Sequence, residues 1–169
     1  MKTVICRFCI IIILILSGFL SFGQAADSTK PLYIRFPTIP QFTIYNAKDS
    51  SLFTREQLKK KKSTVLIIFN PECEHCQKET KEIEANISKF KNAQIIMVSY
   101  LGYDQMVKFY NEYHIADYPN ITMGRDAKYF FPVYYKLRNL PSIFVYDKKG
   151  KFKKDFEGSV NVLKVAAEL

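Results

Sequence analysis

Histidine is nearly absent from the chain, occurring only at positions 75 and 114 among 169 residues. A protein metal site takes about four ligands. His75 lies between Cys73 and Cys76, a poor geometry for closing round one ion, and His114 sits in "NEYHIADYP" with no partner, so a metal centre is not expected. Cysteine is also scarce, with four residues at 6, 9, 73 and 76, too few for the scaffold of a small secreted disulfide protein. No apolar run reaches the roughly 20 residues of a spanning helix; Phe8–Leu16 falls short of it. Internal repeats and long low-complexity tracts are missing too. Tryptophan is absent, yet 14 Phe and 11 Tyr remain, as in a compact globular chain.

The N-terminus has a three-part layout. Lys2 and Arg7 give a positive start, "IIIILIL" forms an apolar centre, and "SGFLSFGQAADS" supplies small and polar residues, the pattern of a secretory signal. Gly23-Gln24-Ala25 and Ser21-Phe22-Gly23 are acceptable cleavage sites. Cleavage after Ala25 leaves 144 of the 169 residues, a single domain large enough for a hydrophobic core. The expected organisation is a signal at 1–25 (or an uncleaved membrane anchor), an extended lead-in at 26–40 and one domain at 41–169. Cys6 and Cys9 fall inside the signal, and no cysteine stands at the cleavage site to carry a lipid.

The net charge is +9. The lysines are scattered among acids except at Lys59–Lys62, which read as the solvated end of a short helix. No nucleic-acid partner is expected of such a surface on an exported protein.

Along the rest of the chain, "FTIYNA" at 42–47 alternates as a strand does. Thr54 and Gln57 form a capping-box signature for a short helix. "TVLIIF" at 64–69 and "AQIIMVSY" at 93–100 are apolar runs suited to strands buried on both faces. Cys76, Thr80, Ile83, Ile87 and Phe90 recur at helical spacing and predict one buried helix face. A helix is expected at about 104–113 and a helical turn or two in "YFFPVYYKL". The aromatics of 118–135 read as packing under the sheet. "SIFVYD" and "FKKDFEG" make a hairpin around Gly150, and a closing helix is expected, capped by Ser159. The order β-α-β-α-β-α-β-β-α predicts an α/β fold, a mixed sheet covered by helices.

Cys73 and Cys76 carry the chemistry. They follow a buried strand and open a helix, in "LIIFNPECEHCQKE". The thiolate is the nucleophile, and an ordinary cysteine, with a pKa of roughly 8.5, is mostly protonated at neutral pH. A helix N-terminus presents unpaired N–H groups and about half a positive charge, which favours an anion at Cys73. Cys76 lies one turn inward on the buried stripe, so one sulfur is presented and the other held in reserve, as disulfide exchange requires. His75, if protonated, would favour the thiolate, whereas Glu72 and Glu74 oppose it. Glu79, three residues after Cys76, is placed to exchange protons with it, or is one more charge on a lysine-glutamate helix. Haem attachment would need histidine where Gln77 stands, and a peroxiredoxin would carry threonine where Asn70 stands.

These residues resemble the thioredoxin fold, and within it the TlpA/ResA group of exported thiol-disulfide oxidoreductases. The matching stretches are "FPTIPQFTIYNAKDSSLFTREQL", "STVLIIFNPECEHCQKE" and "LPSIFVYDKKGKFKKDFEG", in that order, and they cover Phe36 to the C-terminus. The resemblance implies a thioredoxin-like fold with a central mixed β-sheet flanked by helices. It implies that Cys73 attacks and Cys76 resolves, and that Glu79 is the active-site glutamate of C-x-x-C-x-x-E. It also implies that Pro141 is a cis-proline facing the disulfide, with the Leu140 backbone free to pair with an extended substrate. No bound cofactor is implied; the partners would be protein disulfide or dithiol substrates and a membrane or periplasmic electron donor, in a periplasmic or other extracytoplasmic location. Three departures stand out. Glu72 replaces the usual tryptophan, Ile67 occupies the place of thioredoxin's buried aspartate, and the inner dipeptide is Glu74-His75. Reduction of protein disulfides is the favoured direction. The alternatives are a disulfide oxidase, or a thioredoxin-like binding domain whose pair is a structural disulfide.

Overall fold

Alternation of side chains in three neighbouring strands divides the protein into two hydrophobic layers. The computed structural model of the chain describes residues 29–169, of which Pro31–Leu169 form one compact unit. The expected signal at 1–25, with Cys6 and Cys9, lies outside the described residues. Strands are β1 (Thr43–Asn46), β2 (Leu52–Thr54), β3 (Ser63–Ile68), β4 (Ala93–Ser99), β5 (Ile121–Arg125), β6 (Ser142–Tyr146) and β7 (Phe152–Glu157). Helices are α1 (Leu32–Arg35), α2 (Glu74–Ala85), α3 (Tyr103–Glu112), α4 (Phe130–Tyr135) and α5 (Val162–Ala166).

The strands form one mixed sheet in the order β2-β1-β5-β4-β3-β6-β7. The central β5, β4 and β3 are parallel, while β1 and β6 flank them antiparallel. Every residue of β3, β4 and β6 is buried, because helices cover both faces. Successive strand side chains point to opposite sides. Val65, Ile67, Ile95, Met97, Ile143 and Val145 therefore meet the inner faces of α2, α3 and α5. Leu66, Ile68, Ile96, Val98, Phe144 and Tyr146 meet α1 and α4 instead. The second layer is built from aromatics. Tyr135 packs on Phe144 with centroids 4.0 Å apart and the rings tilted by 38°, and its hydroxyl lies 2.7 Å from that of Tyr146. Each buried hydroxyl thus satisfies the other, which removes most of the cost of placing it in an apolar layer.

The predicted stripe is realised in part: Cys76, Thr80, Ile83 and Phe90 are all at most 3% exposed, but Ile87 is only partly buried, and the helix stops at Ala85, leaving Ile87–Phe90 as a 3-10 turn. Several elements differ from expectation. Residues 32–35 are helical, not extended, because Tyr33 turns into the aromatic layer against Phe144 and Phe152. The Thr54–Gln57 signature yields only a 3-10 turn, Arg55–Gln57, though Gln57 Oε1 does accept the Thr54 N–H at 2.7 Å. Lys59–Lys62 consequently form a turn into β3, not a helix end. The closing helix is capped by Asn161, whose Oδ1 accepts the Leu163 N–H at 2.9 Å, and not by Ser159. The aromatics of 118–135 divide, with Phe131 buried and Tyr129 54% exposed.

Candidate active site

A tight turn sets Cys73 at the mouth of α2. β3 ends at Ile68, and the Phe69 N–H still bonds the Val98 carbonyl at 3.0 Å. Asn70 then closes the chain on itself: its Oδ1 accepts the Glu72 N–H at 2.8 Å and its carbonyl accepts the Cys73 N–H at 3.1 Å. Asparagine is suited to this because its side chain bonds the backbone two residues on. That is the local reason for Asn70 at a position where a peroxiredoxin would carry threonine. Gln77 Nε2 donates to the Pro71 carbonyl at 2.9 Å and fastens the turn to the helix. Cys73 occupies the N-cap of α2, with extended backbone, and its carbonyl accepts the Gln77 N–H at 2.9 Å.

The two sulfurs occupy different environments. Cys73 is partly exposed, whereas Cys76 is 1% exposed and both are free thiols. Burial pushes the Cys76 thiol well above its ordinary range, helped by the adjacent Cys73 and Glu79 and opposed by a backbone hydrogen bond from Asn70.

Glu79 lies on the same buried face, 3% exposed. Burial lifts its carboxyl to about 7 from 4.5; the Val160 N–H pulls the other way and Glu82 adds to the rise. That N–H donates to Glu79 Oε2 at 3.3 Å, while Oε1 is buried without a hydrogen-bond partner among the described residues. A carboxyl left half-satisfied in an apolar wall is the arrangement in which a proton is held and released near neutral pH.

The Leu140–Pro141 peptide is cis. Ser142, next in the chain, lies opposite Ile68, so this junction sits at the same end of the sheet as the cysteine turn. Leu140 packs on the hydrophobic layer that holds Cys73 and Cys76. The Pro141 carbonyl accepts the Gly158 N–H at 2.8 Å, and Gly158 has φ of +74°. Residues 158–160 therefore hold both Pro141 and Glu79 by their backbone N–H groups. Sequence reasoning missed these tethers; main-chain donors leave no residue signature, and only the glycine after β7 hints at them. His75 and Glu74 are exposed, and neither side chain makes a hydrogen bond or ion pair among the described residues. Beside the cysteine turn a cleft of about 240 Å³ is lined by Pro71, Glu72, Gln77, Lys108, Phe109 and Glu112. Glu72, standing where the resemblance expects tryptophan, gives that rim charge. No group of three or more His, Cys, Asp or Glu capable of holding a metal occurs among the described residues.

The family model described as AhpC/TSA matches residues 37–155, more than two thirds of the chain, with Cys73, Cys76, Glu79, Leu140 and Pro141 inside the match and Gly158 and Val160 just beyond it. The chain belongs to the AhpC/TSA family. Membership carries the enzyme class, a thiol-disulfide oxidoreductase. No curated protein matches this AhpC/TSA chain. Among solved structures, it is similar to the pneumococcal exposed lipoprotein thioredoxin Etrx1 from Streptococcus pneumoniae, at 20% identity and TM-score 0.59, covering 77% of this chain and 100% of that one. It is similar to a secreted disulfide oxidoreductase of Mycobacterium tuberculosis homologous to E. coli DsbE, at 17% identity and TM-score 0.63, covering 76% and 93%. It is also similar to peroxidoxin BcpB of the same organism, at 16% identity and TM-score 0.66, covering 78% and 92%. These likenesses establish the thioredoxin-like fold of this AhpC/TSA protein.

Proposed function

We propose that the protein is an exported thiol-disulfide oxidoreductase that reduces disulfides of client proteins through Cys73 and Cys76. The observation that carries this reading is the asymmetry of the pair: a reachable sulfur at a helix mouth and a buried one a turn behind it. The Cys73 thiolate attacks a client disulfide, forming a Cys73–client bond and expelling the client's other sulfur, which takes up a proton. Cys76 then gives up its proton and attacks the Cys73 sulfur. The Cys73–Cys76 disulfide forms, and the client leaves as a dithiol, reduced by two electrons.

Because burial holds Cys76 in its protonated form, the second attack needs a base. Glu79, buried on the same face and titrating near 7, supplies it. Leu140 and Pro141, at the same sheet end, would support an extended client segment, and the charged rim made by Glu72 and Glu112 favours a polar one. His75 and Glu74, both exposed, would act on Cys73 only through their charge. A membrane-bound or periplasmic donor protein returns the pair to the dithiol. The N-terminal signal, and the exposed or secreted nature stated for two of the similar structures, support an extracytoplasmic location.

The test is reduction of insulin by dithiothreitol. The native protein accelerates it, and Cys73→Ser abolishes the acceleration. Direction is tested by equilibrating the pair against glutathione. A midpoint near −270 mV, as in thioredoxin, fits a reductant, and one near −120 mV, as in DsbA, reverses the direction.

A further inference from the structure

A second concavity, of about 530 Å³, lies at the opposite end of the sheet from the cysteines. Its walls are the Lys59–Lys62 turn leading into β3 and the turn between β6 and β7; Thr64 and Gln94, at the starts of β3 and β4, are part of its lining. Cys73 follows the other end of β3. At about 3.3 Å per residue, the strand alone separates the two regions by roughly 20 Å.

Seven cationic side chains line this groove, Arg55 and six lysines, against two carboxylates, Glu56 and Asp147. Both carboxylates already serve the local backbone and neighbouring side chains. Asp147 Oδ1 accepts the N–H groups of Lys149 and Lys151 at 2.8 and 2.9 Å, and the neighbouring Thr54 side chain holds the Glu56 carboxyl below its usual range. Lys59 and Lys62 donate to the carbonyls of Pro119 and Lys91. The other four lysines, 60, 61, 148 and 149, are exposed, and their side chains have no hydrogen bond or ion pair among the described residues. So the folded chain gathers a positive surplus that it does not neutralise, and this attracts an anionic partner.

The lining indicates which kind. Single-stranded nucleic acid is gripped by bases stacking on aromatic rings, and none of the described residues lining the groove is aromatic. Its apolar members are aliphatic, Ile39 and Leu58. Flexible lysines around a few aliphatic side chains match the headgroup layer of an anionic bilayer. The course of the chain agrees. The segment entering the domain runs along this same turn, with the Ile39 N–H bonded to the Gly150 carbonyl at 3.0 Å and the Phe152 N–H to the Pro37 carbonyl at 2.9 Å. After α1 has packed on the aromatic layer through Tyr33, the chain thus passes along the basic end at Pro37–Ile39 before entering β1. We infer that this groove docks the domain on the anionic phospholipid headgroups of a bilayer, leaving the Cys73 end of the sheet directed away from the lipid.

Amine-reactive labelling of the full chain on vesicles tests this. On vesicles containing phosphatidylglycerol, Lys60, Lys61, Lys148 and Lys149 will label severalfold more slowly than on phosphatidylcholine vesicles. Lys48, Lys81 and Lys164 on other faces will label equally on both, and high salt will erase the protection. Replacing the four groove lysines by glutamine will lower the preference for phosphatidylglycerol over phosphatidylcholine vesicles by on the order of a thousandfold. Insulin reduction in solution will be unchanged. Equal labelling on the two vesicles overturns the inference, as does an unaltered vesicle preference in the glutamine variant. Protection by an acidic polypeptide but not by vesicles also overturns it, assigning the groove to a protein partner.

Discussion

Replacing Glu79 by glutamine will make stability less dependent on pH, and the size of the change follows from where the carboxyl sits. In the unfolded chain it titrates near 4.5; in the fold, burial lifts it to about 7. Below pH 4.5 both states hold the proton and the residue contributes no pH dependence. Between 4.5 and 7 the unfolded chain releases a proton that the folded one keeps, so stability falls as pH rises. Above 7 the penalty is complete, at about 3 kcal/mol. Glutamine does not titrate, so Glu79→Gln avoids the penalty while carrying a fixed offset for its own buried amide. Urea denaturation of the reduced protein at pH 4, 6 and 8 measures this, followed by far-ultraviolet circular dichroism because the chain has no tryptophan. The difference between variant and native stability will move in favour of the variant by about 3 kcal/mol from pH 4 to pH 8. A difference that stays constant within about 1 kcal/mol over that range refutes the reasoning, since it would mean that the carboxyl is solvated.

Other perturbations reach different parts of the structure. Gly124→Ala will destabilise the domain by about 1–3 kcal/mol in urea denaturation, since a Cβ there would stand 2.8 Å from Ile44 Cδ1 and 2.9 Å from the Tyr45 carbonyl oxygen. Tyr146→Phe strands the buried Tyr135 hydroxyl and will cost about 1–3 kcal/mol in the same measurement, with insulin reduction unaffected. Asn161→Ala removes the cap of α5 and will cost about 1 kcal/mol; an unchanged denaturation midpoint would show that the cap adds nothing.

What could be read from the sequence was whatever local pattern dictates. The runs 64–69 and 93–100 became β3 and β4, and the stripe from Cys76 to Phe90 became the inner face of α2 and its 3-10 extension. β2 and β5 were not legible. β2 is a three-residue edge strand, held by pairing with β1. β5 contains Gly124 and Arg125 and shows no alternation; it exists because β4 and β1 pair with it on either side, and it needs glycine where Ile44 and Tyr45 approach. Asp126 was missed as well. It is 1% exposed and starts α4 by accepting the Phe131 N–H at 2.8 Å, a role indistinguishable in sequence from that of any loop aspartate. Lys59–Lys62 were misplaced because the capping signature before them delivers a single 3-10 turn. The cysteine site was legible because its spacing is local, whereas the tethers from Gly158 and Val160 depend on distant chain segments meeting.

The division of labour between the two sulfurs can be examined most directly by trapping. Cys76→Ser, incubated with oxidised glutathione and mapped by mass spectrometry, will carry one glutathione on Cys73. Cys73→Ser, treated identically, will leave Cys76 unmodified in the folded protein. A glutathione on Cys76 at a comparable rate, or none on Cys73, contradicts the assignment of Cys73 as the attacking sulfur.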